Sequence, residues 1–263
     1  MEFDVVICTK NSALTLDVCL TSLFRSDIPI KKIFVIDKNS MDGTKEIAKK
    51  YGCVVVSNNM SLAEARRFGA QLCETEYFVN LDSDIVIPEK FYSILQPHIR
   101  NNVLTKGIYL NQLPKKDRQI AYRDFDWLHS RIGSLDCCII HQETFLRLSK
   151  DWEKRGLDAG EDTELFRVCE EQKLPLHQDN QIVSKHYVFS VLRLLKQTRW
   201  YGKGSRRGRI KGRFCRTRGE FMPVEMFGLP IMGLKEMIKW KSWKLFFYES
   251  AKMIFWFYGY FIG

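Results

Sequence analysis

The chain has 263 residues, of which 45% are hydrophobic and 27% are charged. This composition predicts a globular protein with a sizeable core and excludes a disordered chain. The formal net charge is +10, and one segment accounts for it, since eleven Lys or Arg and no Asp or Glu lie between Arg193 and Arg218. Such a local excess suits the phosphates of a ligand, a membrane or a nucleic acid.

The cysteines, the N-terminus and the apolar runs predict the cellular compartment of the protein. Eight cysteines are present without any C-x-x-C pair, mostly in apolar stretches, and this usage predicts reduced core thiols in a cytoplasmic protein. The N-terminus opens directly on a strand-like run, so we expect no signal peptide. The longest apolar run, Met253–Gly263, has 11 residues, fewer than the ~18 to 20 that a membrane span requires.

Residues 1–100 alternate between apolar strand-like runs and helical spacing. The predicted strands are Phe3–Cys8, Ile33–Ile36, Cys53–Val56 and Tyr77–Leu81. The predicted helices are Ser12–Phe24, Lys45–Tyr51 and a third that starts at the Ser61/Glu64 capping box and ends near Cys73. This alternation predicts the α/β class, with a doubly wound, mainly parallel sheet and helices on both faces.

Beyond residue 100 the pattern weakens. Short strand-like runs over Val103–Leu110 are mixed with polar loops, and a long basic helix or loop begins near residue 190. Between them we predict a strand at Cys137–Ile140, helices at Gln142–Leu148 and Glu161–Glu171, and a short strand at Ile182–Val183.

Polar side chains follow three of the predicted strands where each strand ends. Thr9 and Asn11 follow the first strand, Asp37 ends the second, and Asp82 and Asp84 follow the fourth. Because ligands bind such sheets at the carboxyl ends of the strands, we expect these side chains to lie together. Each aspartate alone is better explained as a cap of a loop or helix. Together they favour a site for Mg²⁺ or Mn²⁺, which takes carboxylates and phosphate oxygens.

Four elements in this order resemble the family 2 glycosyltransferases of the GT-A fold. They are T-x-N at 9–11, V-I-D-x-x-S-x-D-G-T at 35–44, A-R-x-x-G at 65–69 and E-Y-x-x-x-L-D-S-D at 76–84. Three positions depart from the family pattern, namely Cys8, Ser12 and Arg67. The resemblance implies the GT-A fold and a nucleotide diphosphate sugar as donor, UDP- or GDP-linked.

The resemblance also implies roles for individual residues. Asp37 is expected to receive the nucleotide base, and Asp84 to bind a divalent ion, Mn²⁺ or Mg²⁺, with Asp82 assisting. The full set expected to contact the nucleotide is Thr9, Asn11, Asp37, Asn39, Arg66, Asp82 and Ser83.

Two further candidates come from the second half of the chain. An acidic helix start at 160–165 resembles the family's E-D-x-x-L element, which points to Asp162 as catalytic base and leaves Glu161 as the alternative. Simple charge at a helix N-terminus is the competing explanation. His186 follows a short apolar run and resembles a late histidine that binds the metal or diphosphate in some family members, although a lone histidine is more often structural.

The basic segment resembles the Q-x-x-R-W element of processive polysaccharide synthases, with Lys196 at the Gln position. Arg199 and Lys203, with Arg206 and Arg207, are candidates to bind the diphosphate, and a solvated basic loop is the alternative. The glycines here do not complete G-x-G-x-x-G, because position 207 is Arg, which excludes a dinucleotide fingerprint.

The last forty residues are rich in Trp, Phe, Met and Lys and predict an amphipathic helical extension. Apolar aromatics with lysines suit a helix lying in a membrane interface beside anionic headgroups. The alternatives are packing on the rest of the chain or on a second copy, which would make a homo-oligomer.

We therefore divide the chain into a GT-A catalytic domain at 1–192, a basic segment at 193–220 and an amphipathic tail at 221–263. Within the catalytic domain, 1–100 is the nucleotide-binding half and 101–192 the acceptor half. The expected activity is metal-dependent, inverting transfer of a sugar to a membrane-proximal acceptor, such as a lipid-linked sugar, a polyprenyl phosphate or a surface glycan. The expected location is the cytoplasmic face of the membrane.

Two other functions stay open from the sequence. One is a module that binds nucleic acid or an anionic membrane through the basic segment. The other is a sugar-1-phosphate nucleotidyltransferase, which would need a glycine-rich loop after the first strand, where residues 8–12 contain no glycine.

Overall fold

The computed structural model describes residues 1–128, 134–152, 160–210 and 228–262. Its strands form one eight-stranded sheet in the order β3-β2-β1-β4-β7-β6-β8-β5. They are β1 (Phe3–Thr9), β2 (Ile30–Asp37), β3 (Val54–Ser57), β4 (Tyr77–Leu81), β5 (Ile85–Val86), β6 (Leu104–Gln112), β7 (Cys137–His141) and β8 (Leu176–Tyr187).

The helices alternate with these strands and then continue alone. They are α1 (Ala13–Arg25), α2 (Thr44–Lys50), α3 (Leu62–Leu72), α4 (Phe91–Ile99), α5 (Arg118–Leu128), α6 (Gln142–Leu148), α7 (Glu161–Glu171), α8 (Val191–Ile210), α9 (Leu229–Trp240) and α10 (Trp243–Ile262). The capping box at Ser61 and Glu64 is confirmed at the start of α3.

Most strands of the sheet run in the same direction, so their carboxyl ends lie at one edge. β1 pairs in parallel with β2 and β4, β2 with β3, and β6 with β8. β7 is antiparallel to both β4 and β6, and β5 is antiparallel to β8. It follows that β1–β4, β6 and β8 all run the same way, which confirms the mainly parallel sheet. Their carboxyl ends share one edge, where ligands of α/β sheets bind.

Apolar side chains cover both faces of this sheet, because neighbouring residues of a strand point to opposite faces. On one face, Val5 and Ile7 of β1 pack with Leu16 and Leu20 of α1 and with Phe91 of α4. On the other face, the buried cluster includes Val6, Phe34, Ala70, Phe145 and Leu165. Burial on both sides explains why β1, β2 and β4 are continuous apolar runs.

The second half departs from its sequence pattern. The runs over Val103–Leu110 form one nine-residue strand, β6, and the two-residue strand predicted at Ile182–Val183 is the interior of the twelve-residue β8. The first residues of β8 are polar and only half-buried, so their extended form comes from pairing with β6. Such long-range pairing leaves no local period in the sequence.

The C-terminal helices confirm a helical extension. α9 and α10 are joined by two residues, and α8 packs closely against α10. A Cβ at Gly259 would stand 1.9 Å from the Arg199 carbonyl oxygen, and one at Gly202 would stand 2.1 Å from the Trp256 carbonyl oxygen. Only glycine therefore permits this approach of the two backbones. None of the described helices is long and apolar enough to cross a membrane.

Parts of the predicted segments lie outside the described residues. These are residues 211–220 of the basic segment and 221–227 of the tail, together with the side chains of Arg206 and Arg207. The seven cysteines in the described residues are free, and six of them are buried.

Candidate active site

The predicted polar residues meet at the carboxyl edge of the sheet. Thr9 and Asp37 are the last residues of β1 and β2 and stand opposite each other in the sheet register. Asp82 directly follows β4. His186 lies near the end of β8, where it pairs with Ile85 of β5. The fold thus gathers side chains that are far apart in the sequence.

Asp37 is enclosed by its own loops. The Thr9 hydroxyl donates to Asp37 Oδ1 at 2.8 Å, and the Ser40 backbone N–H donates to Oδ2 at 2.8 Å. The Ser40 hydroxyl also donates to Oδ1. The Asp37 side chain is fully buried, and a buried carboxylate needs such donors because an unpaired charge is costly. Asp37 therefore holds the loops after β1 and β2 in place.

Two asparagines stand exposed beside Asp37. Asn11 and Asn39 have φ angles of 50° and 47°, the left-handed conformation that Asn adopts more readily than most residues. The Asn11 backbone N–H donates to Ser40 Oγ at 2.7 Å. The loop after β4 is tied to this region, since the Ser83 hydroxyl donates to Ser12 Oγ at 2.9 Å.

Arg66 on α3 bridges two carboxylates in the interior. Its Nη2 donates to Asp82 Oδ1 at 2.6 Å, and its Nη1 donates to Glu161 Oε1. Arg66 is 4% exposed and Glu161 is 2% exposed. Glu161 is the first residue of α7, so this shared guanidinium ties the N-terminus of α7 to the strand end that carries Asp82. We call Arg66, Asp82 and Glu161 the arginine cluster.

The two carboxylates of the arginine cluster are weak acids. Burial raises the pKa of Asp82 to about 6, against the lowering effect of Arg66 and with a further rise from Asp84. Burial likewise raises the pKa of Glu161 to about 7, again opposed by Arg66. One cation serves two desolvated carboxylates, so part of their charge stays uncompensated.

Asp84 has the opposite environment. Its Oδ2 lies 3.3 Å from His186 Nε2 and 3.5 Å from Arg193 Nη2. Burial alone would raise its pKa, but His186 and Arg193 outweigh burial and lower the pKa of Asp84. His186 Nδ1 lies 2.8 Å from Asn111 Oδ1, which orients the ring. We call Asp84, His186, Asn111 and Arg193 the histidine cluster.

The donor set of the histidine cluster fits Mn²⁺ or Mg²⁺. Adjacent ligands of an octahedral ion with bonds of ~2.1 Å stand about 3 Å apart, and Asp84 Oδ2 and His186 Nε2 are 3.3 Å apart. The Asn111 oxygen accepts from His186 Nδ1 and so leaves Nε2 free to ligate, the arrangement common for metal-bound histidines. Arg193 is half exposed and holds Asp84 only at 3.5 Å.

Asp162 differs from its neighbour Glu161. Asp162 is half-buried at the N-terminus of α7, where the Thr163 backbone N–H donates to its Oδ1 at 2.7 Å. Burial raises the pKa of Asp162, against the lowering effect of Arg66. A partly exposed carboxylate with a raised pKa suits proton transfer near neutral pH. Glu161 is buried and engaged by Arg66.

A buried lysine below the site was missed by the sequence reading. Lys106 of β6 is 2% exposed, and its Nζ donates to Asp136 Oδ1 at 2.7 Å and to the Ser134 carbonyl at 2.8 Å. The Asp82 backbone N–H donates to the Asp136 carbonyl at 2.7 Å. The pair therefore supports the start of the Asp82–Asp84 loop. The feature of the sequence that points to this pair is a lysine inside an apolar run.

The predicted diphosphate residue Arg199 lies on a different face of α8 from Arg193, and Lys203 lies ten residues further along the helix than Arg193. Six residues along a helix turn the side chain by about 240°, and the Arg199 guanidinium stands 4.3 Å from the Tyr258 ring centroid of α10. Among the basic residues of α8 whose side chains the structure describes, Arg193 is the one that contacts Asp84. The sequence does not distinguish Arg193, because a run of eleven basic residues does not show which face of the helix each side chain occupies.

A second group of potential ligands lies at the other end of β8. His98, His177 and Asp179 approach one another, but the two imidazole rings are stacked, with centroids 3.7 Å apart and planes at 15°. Nearly parallel rings direct their in-plane lone pairs the same way and do not converge on one ion. We assign no metal to this group.

Comparison with known proteins agrees with this geometry. The model of "Glycosyl transferase family 2" matches residues 4–137, half of the chain. The chain belongs to glycosyl transferase family 2. It is a glycosyltransferase, which decides against the nucleotidyltransferase and the pure binding module.

Solved structures of glycosyltransferases share the fold. The mannosyltransferase PcManGT from Pyrobaculum calidifontis, solved with GDP-Man and Mn²⁺, covers 96% of this chain and 86% of its own, with 14% identity and a TM-score of 0.65. TarS from S. aureus, solved with UDP, covers 99% of this chain and 90% of its own, with 17% identity and a TM-score of 0.53.

A curated relative adds a sequence match. The cholesterol galactosyltransferase of Borreliella burgdorferi is 32% identical over 100 residues, which is 36% of this chain and 28% of that protein. The match thus spans little more than a quarter of the relative's length.

Proposed function

We propose that this family 2 glycosyltransferase is metal-dependent and inverting, and that it transfers a sugar from a nucleotide diphosphate sugar to a membrane-proximal acceptor. The observation that carries the proposal is the meeting of the histidine cluster, the arginine cluster and Asp162 at one edge of the sheet. No residue of this set is near another in sequence except Asp82 with Asp84 and Glu161 with Asp162.

Asp84 and His186 would hold the divalent ion, with Asp82 beside them. The bound ion would neutralise charge on the departing diphosphate. Arg193 can leave Asp84 for a diphosphate oxygen, because its guanidinium is half exposed and held at 3.5 Å. Arg199 and Lys203 remain candidates for the same diphosphate. The Mn²⁺ and GDP-Man bound to the solved mannosyltransferase support this chemistry.

For the nucleoside, the exposed amides of Asn11 and Asn39 are the groups that a base or ribose would meet first, beside Thr9 and Ser83. Asp37 would contact a base only after the Ser40 loop uncovers it, since its oxygens already accept from Thr9 and Ser40. We propose that Asp37 acts mainly by fixing these loops.

Asp162 would act as the catalytic base. The acceptor oxygen forms a bond to the anomeric carbon while the bond from that carbon to the diphosphate oxygen breaks, and the electron pair leaves with the nucleoside diphosphate. The acceptor proton passes to Asp162. A single displacement of this kind inverts the anomeric centre, and it needs one available carboxylate. Burial and the Arg66 contact make Glu161 a poor substitute.

The acceptor class we propose is a lipid-linked sugar, a polyprenyl phosphate or a surface glycan at the cytoplasmic face of a membrane. The name of the Borreliella burgdorferi relative specifies a lipid, cholesterol, as its acceptor. The aromatic α9–α10 extension supports a membrane-proximal site.

A screen of nucleotide sugars tests the proposal. Thermal stabilisation by UDP-, GDP- and dTDP-sugars is measured with Mn²⁺, with Mg²⁺ and with chelator. We expect one nucleotide class to raise Tm only when the metal is present, because the diphosphate and the ion bind together. Stabilisation and sugar transfer that persist in chelator would overturn the metal assignment, and no response to any donor would overturn the function.

A further inference from the structure

The α9–α10 hairpin leaves an unusual amount of apolar surface in water. Its exposed large apolar side chains include Ile231, Leu234, Ile238, Trp243, Phe247, Ile254, Tyr258 and Phe261, and six of these are 59% to 69% exposed. Contiguous apolar surface of this kind marks an interaction site in a soluble domain.

On α10 these side chains form one stripe. Trp243, Phe247, Ile254, Tyr258 and Phe261 follow one another at intervals of three, four or seven residues, which keeps them within about 60° around the helix. The two lysines of α10 lie off the stripe. Lys244 donates to the Lys116 carbonyl at 2.6 Å, and Lys252 lies 3.4 Å from Glu249.

The stripe on α9 faces the same way. Gly233 is the point of α9 that meets α10, at Phe246 and Glu249, and Ile231, Leu234 and Ile238 lie roughly 100° to 160° around α9 from Gly233. On α10, the stripe lies at a similar angle around the helix, in the same rotational sense, from Phe246 and Glu249, which contact α9. Because the two helices are antiparallel, these rotations bring both stripes to one side of the hairpin.

This shared side faces mostly away from the rest of the protein, and Tyr258 at its margin contacts the Arg199 guanidinium of α8. The opposite side of α10 carries Gly259 and Trp256, which touch α8. It also carries Glu249, which forms an ion pair with Arg123 of α5 at 2.9 Å, and Tyr248, whose hydroxyl donates to Asp124 at 3.0 Å. We call the outward side, defined by the eight apolar residues named above, the hairpin face.

Charge around the hairpin face selects its partner. Lys235, Lys239 and Lys241 of α9 and its linker are exposed beside it. Among the described residues of the hairpin, the two acids are engaged elsewhere, since Glu236 accepts from the Trp240 ring at 3.0 Å and Glu249 is buried. The partner must therefore accept aromatic and aliphatic side chains and carry negative charge around them.

We propose that the hairpin face docks on an anionic lipid bilayer and lies in its interface. Trp and Tyr favour the headgroup level of a bilayer, and lysines at the edge of an apolar face reach anionic headgroups. A second copy fits the charges less well, because an isologous contact sets the same lysine-flanked surface against itself. The absence of a spanning helix among the described residues accords with a surface position.

Docking also orients the candidate active site. α8 begins beside Asp84 through Arg193 and continues to its packing on α10, and α5 links the same hairpin to the acceptor half. The bilayer would thus hold the carboxyl edge of the sheet at a fixed height above the lipid. This consequence rests on the proposed function, whereas the docking itself does not.

Vesicle sedimentation of the full chain tests the docking. The vesicles contain phosphatidylcholine alone or with phosphatidylglycerol. We expect binding to the anionic vesicles, weakened by salt, and little binding to phosphatidylcholine alone. The double variant Trp243→Ser/Phe247→Ser should bind the anionic vesicles at least roughly tenfold more weakly, because two large apolar side chains no longer enter the lipid. Lys235→Glu/Lys239→Glu should abolish the preference for anionic lipid.

The matched control is Phe24→Ser/Val54→Ser, which removes two exposed apolar side chains from α1 and β3 and should bind as the wild type does. Equal binding by the wild type and the Trp243/Phe247 variant would overturn the proposal, as would no binding to either vesicle. A concentration-dependent dimer that the same variant abolishes, without vesicle binding, would assign the face to a second copy instead.

The same variants separate this inference from the proposed function. Metal-dependent thermal stabilisation by the donor should be unchanged in the Trp243/Phe247 variant, since neither residue lies at the carboxyl edge. Loss of vesicle binding with intact donor binding supports the docking. Vesicle binding by a protein that no nucleotide sugar stabilises would leave the docking in place and remove the function.

Discussion

Asp82 and Asp84 stand two residues apart but belong to different surroundings. Asp82 turns inward to Arg66, which it shares with Glu161, and burial raises its pKa to about 6. Asp84 turns to His186 and Arg193, and these lower its pKa despite burial. The carboxylates of the arginine cluster are thus partly protonated near neutral pH. In the histidine cluster, Asp84 stays charged beside His186 and Arg193, whose contacts with it a ligand could replace.

We infer from this difference that the two aspartates of the D-x-D pair have different roles. The arginine cluster has no exposed cation and joins α3 to α7, which suits the support of a site. In the histidine cluster the cation, Arg193, is half exposed, and we propose that this cluster binds an ion or a phosphate. The following predictions test this division, from the largest expected effect to the smallest.

Asp84→Ala should abolish sugar transfer and donor hydrolysis. Losing the carboxylate removes several kcal/mol of stabilisation of the leaving group, so kcat should fall by about a thousandfold or more. The matched control is Asp179→Ala, which removes a carboxylate from the other end of β8 and should retain most activity. A stable Asp84→Ala protein with wild-type turnover would refute the role of the histidine cluster.

Asp162→Asn should lower kcat by about a hundredfold to ten-thousandfold while donor binding is unchanged, because only the proton acceptor is lost. In the wild type, activity should rise with pH as Asp162 ionises, and burial should set this rise above the usual range of an aspartate. A pH profile of kcat checks both statements. If Glu161→Gln removes activity and Asp162→Asn does not, the two roles are reversed.

Arg66→Leu should destabilise the fold more than it alters metal affinity. The buried Glu161 and the partly exposed Asp82 lose their cation, which costs about 3 kcal/mol in the free energy of unfolding at pH 8. The loss should shrink at pH 5, where Asp82 and Glu161 take up protons and no longer need the cation. Urea unfolding at the two pH values measures it, and a loss that grows at pH 5 would contradict the assignment.

Glu161→Gln should flatten the pH dependence of stability. The pKa of Glu161 is raised from 4.5 to about 7 in the folded state by burial, with Asp162 and Asp82 adding to the rise and Arg66 opposing it. Its contribution is therefore complete below about pH 4.5 and is lost as pH rises through about 7, a change of about 3 kcal/mol. Unfolding of the wild type and the variant from pH 4.5 to 8 should show a steeper slope in the wild type, because Asp82 and Asp162 still titrate in the variant, and parallel curves would exclude Glu161 as a source of the slope.

The sequence predicts the fold of residues 1–100 better than that of the rest, for a physical reason. β1, β2 and β4 are buried on both faces, so their apolar runs identify them locally, and their ends carry Thr9, Asp37 and Asp82. β8 is extended because β6 pairs with it, although its first residues are polar. No local pattern records that pairing.

The site shows the same limit. Asp84, His186 and Asp162 were predicted as site residues, and the structure brings them to the edge of the sheet, although their roles stay predictions. The Arg66–Glu161 contact joins residues 95 positions apart, and Arg193 is distinguished from Arg199 only by its face on α8. Contacts between distant segments and the rotation of a helix come from packing, which one sequence does not contain.

The most direct test of the division between the two clusters is Mn²⁺ affinity. Titration calorimetry in the presence of whichever nucleoside diphosphate stabilises the protein compares the wild type with Asp84→Asn and Asp82→Asn. We expect Asp84→Asn to lose Mn²⁺ binding and Asp82→Asn to keep it within a few-fold, because Arg66 engages Asp82. The account is contradicted if Asp84→Asn binds Mn²⁺ like the wild type, or if Asp82→Asn alone loses it.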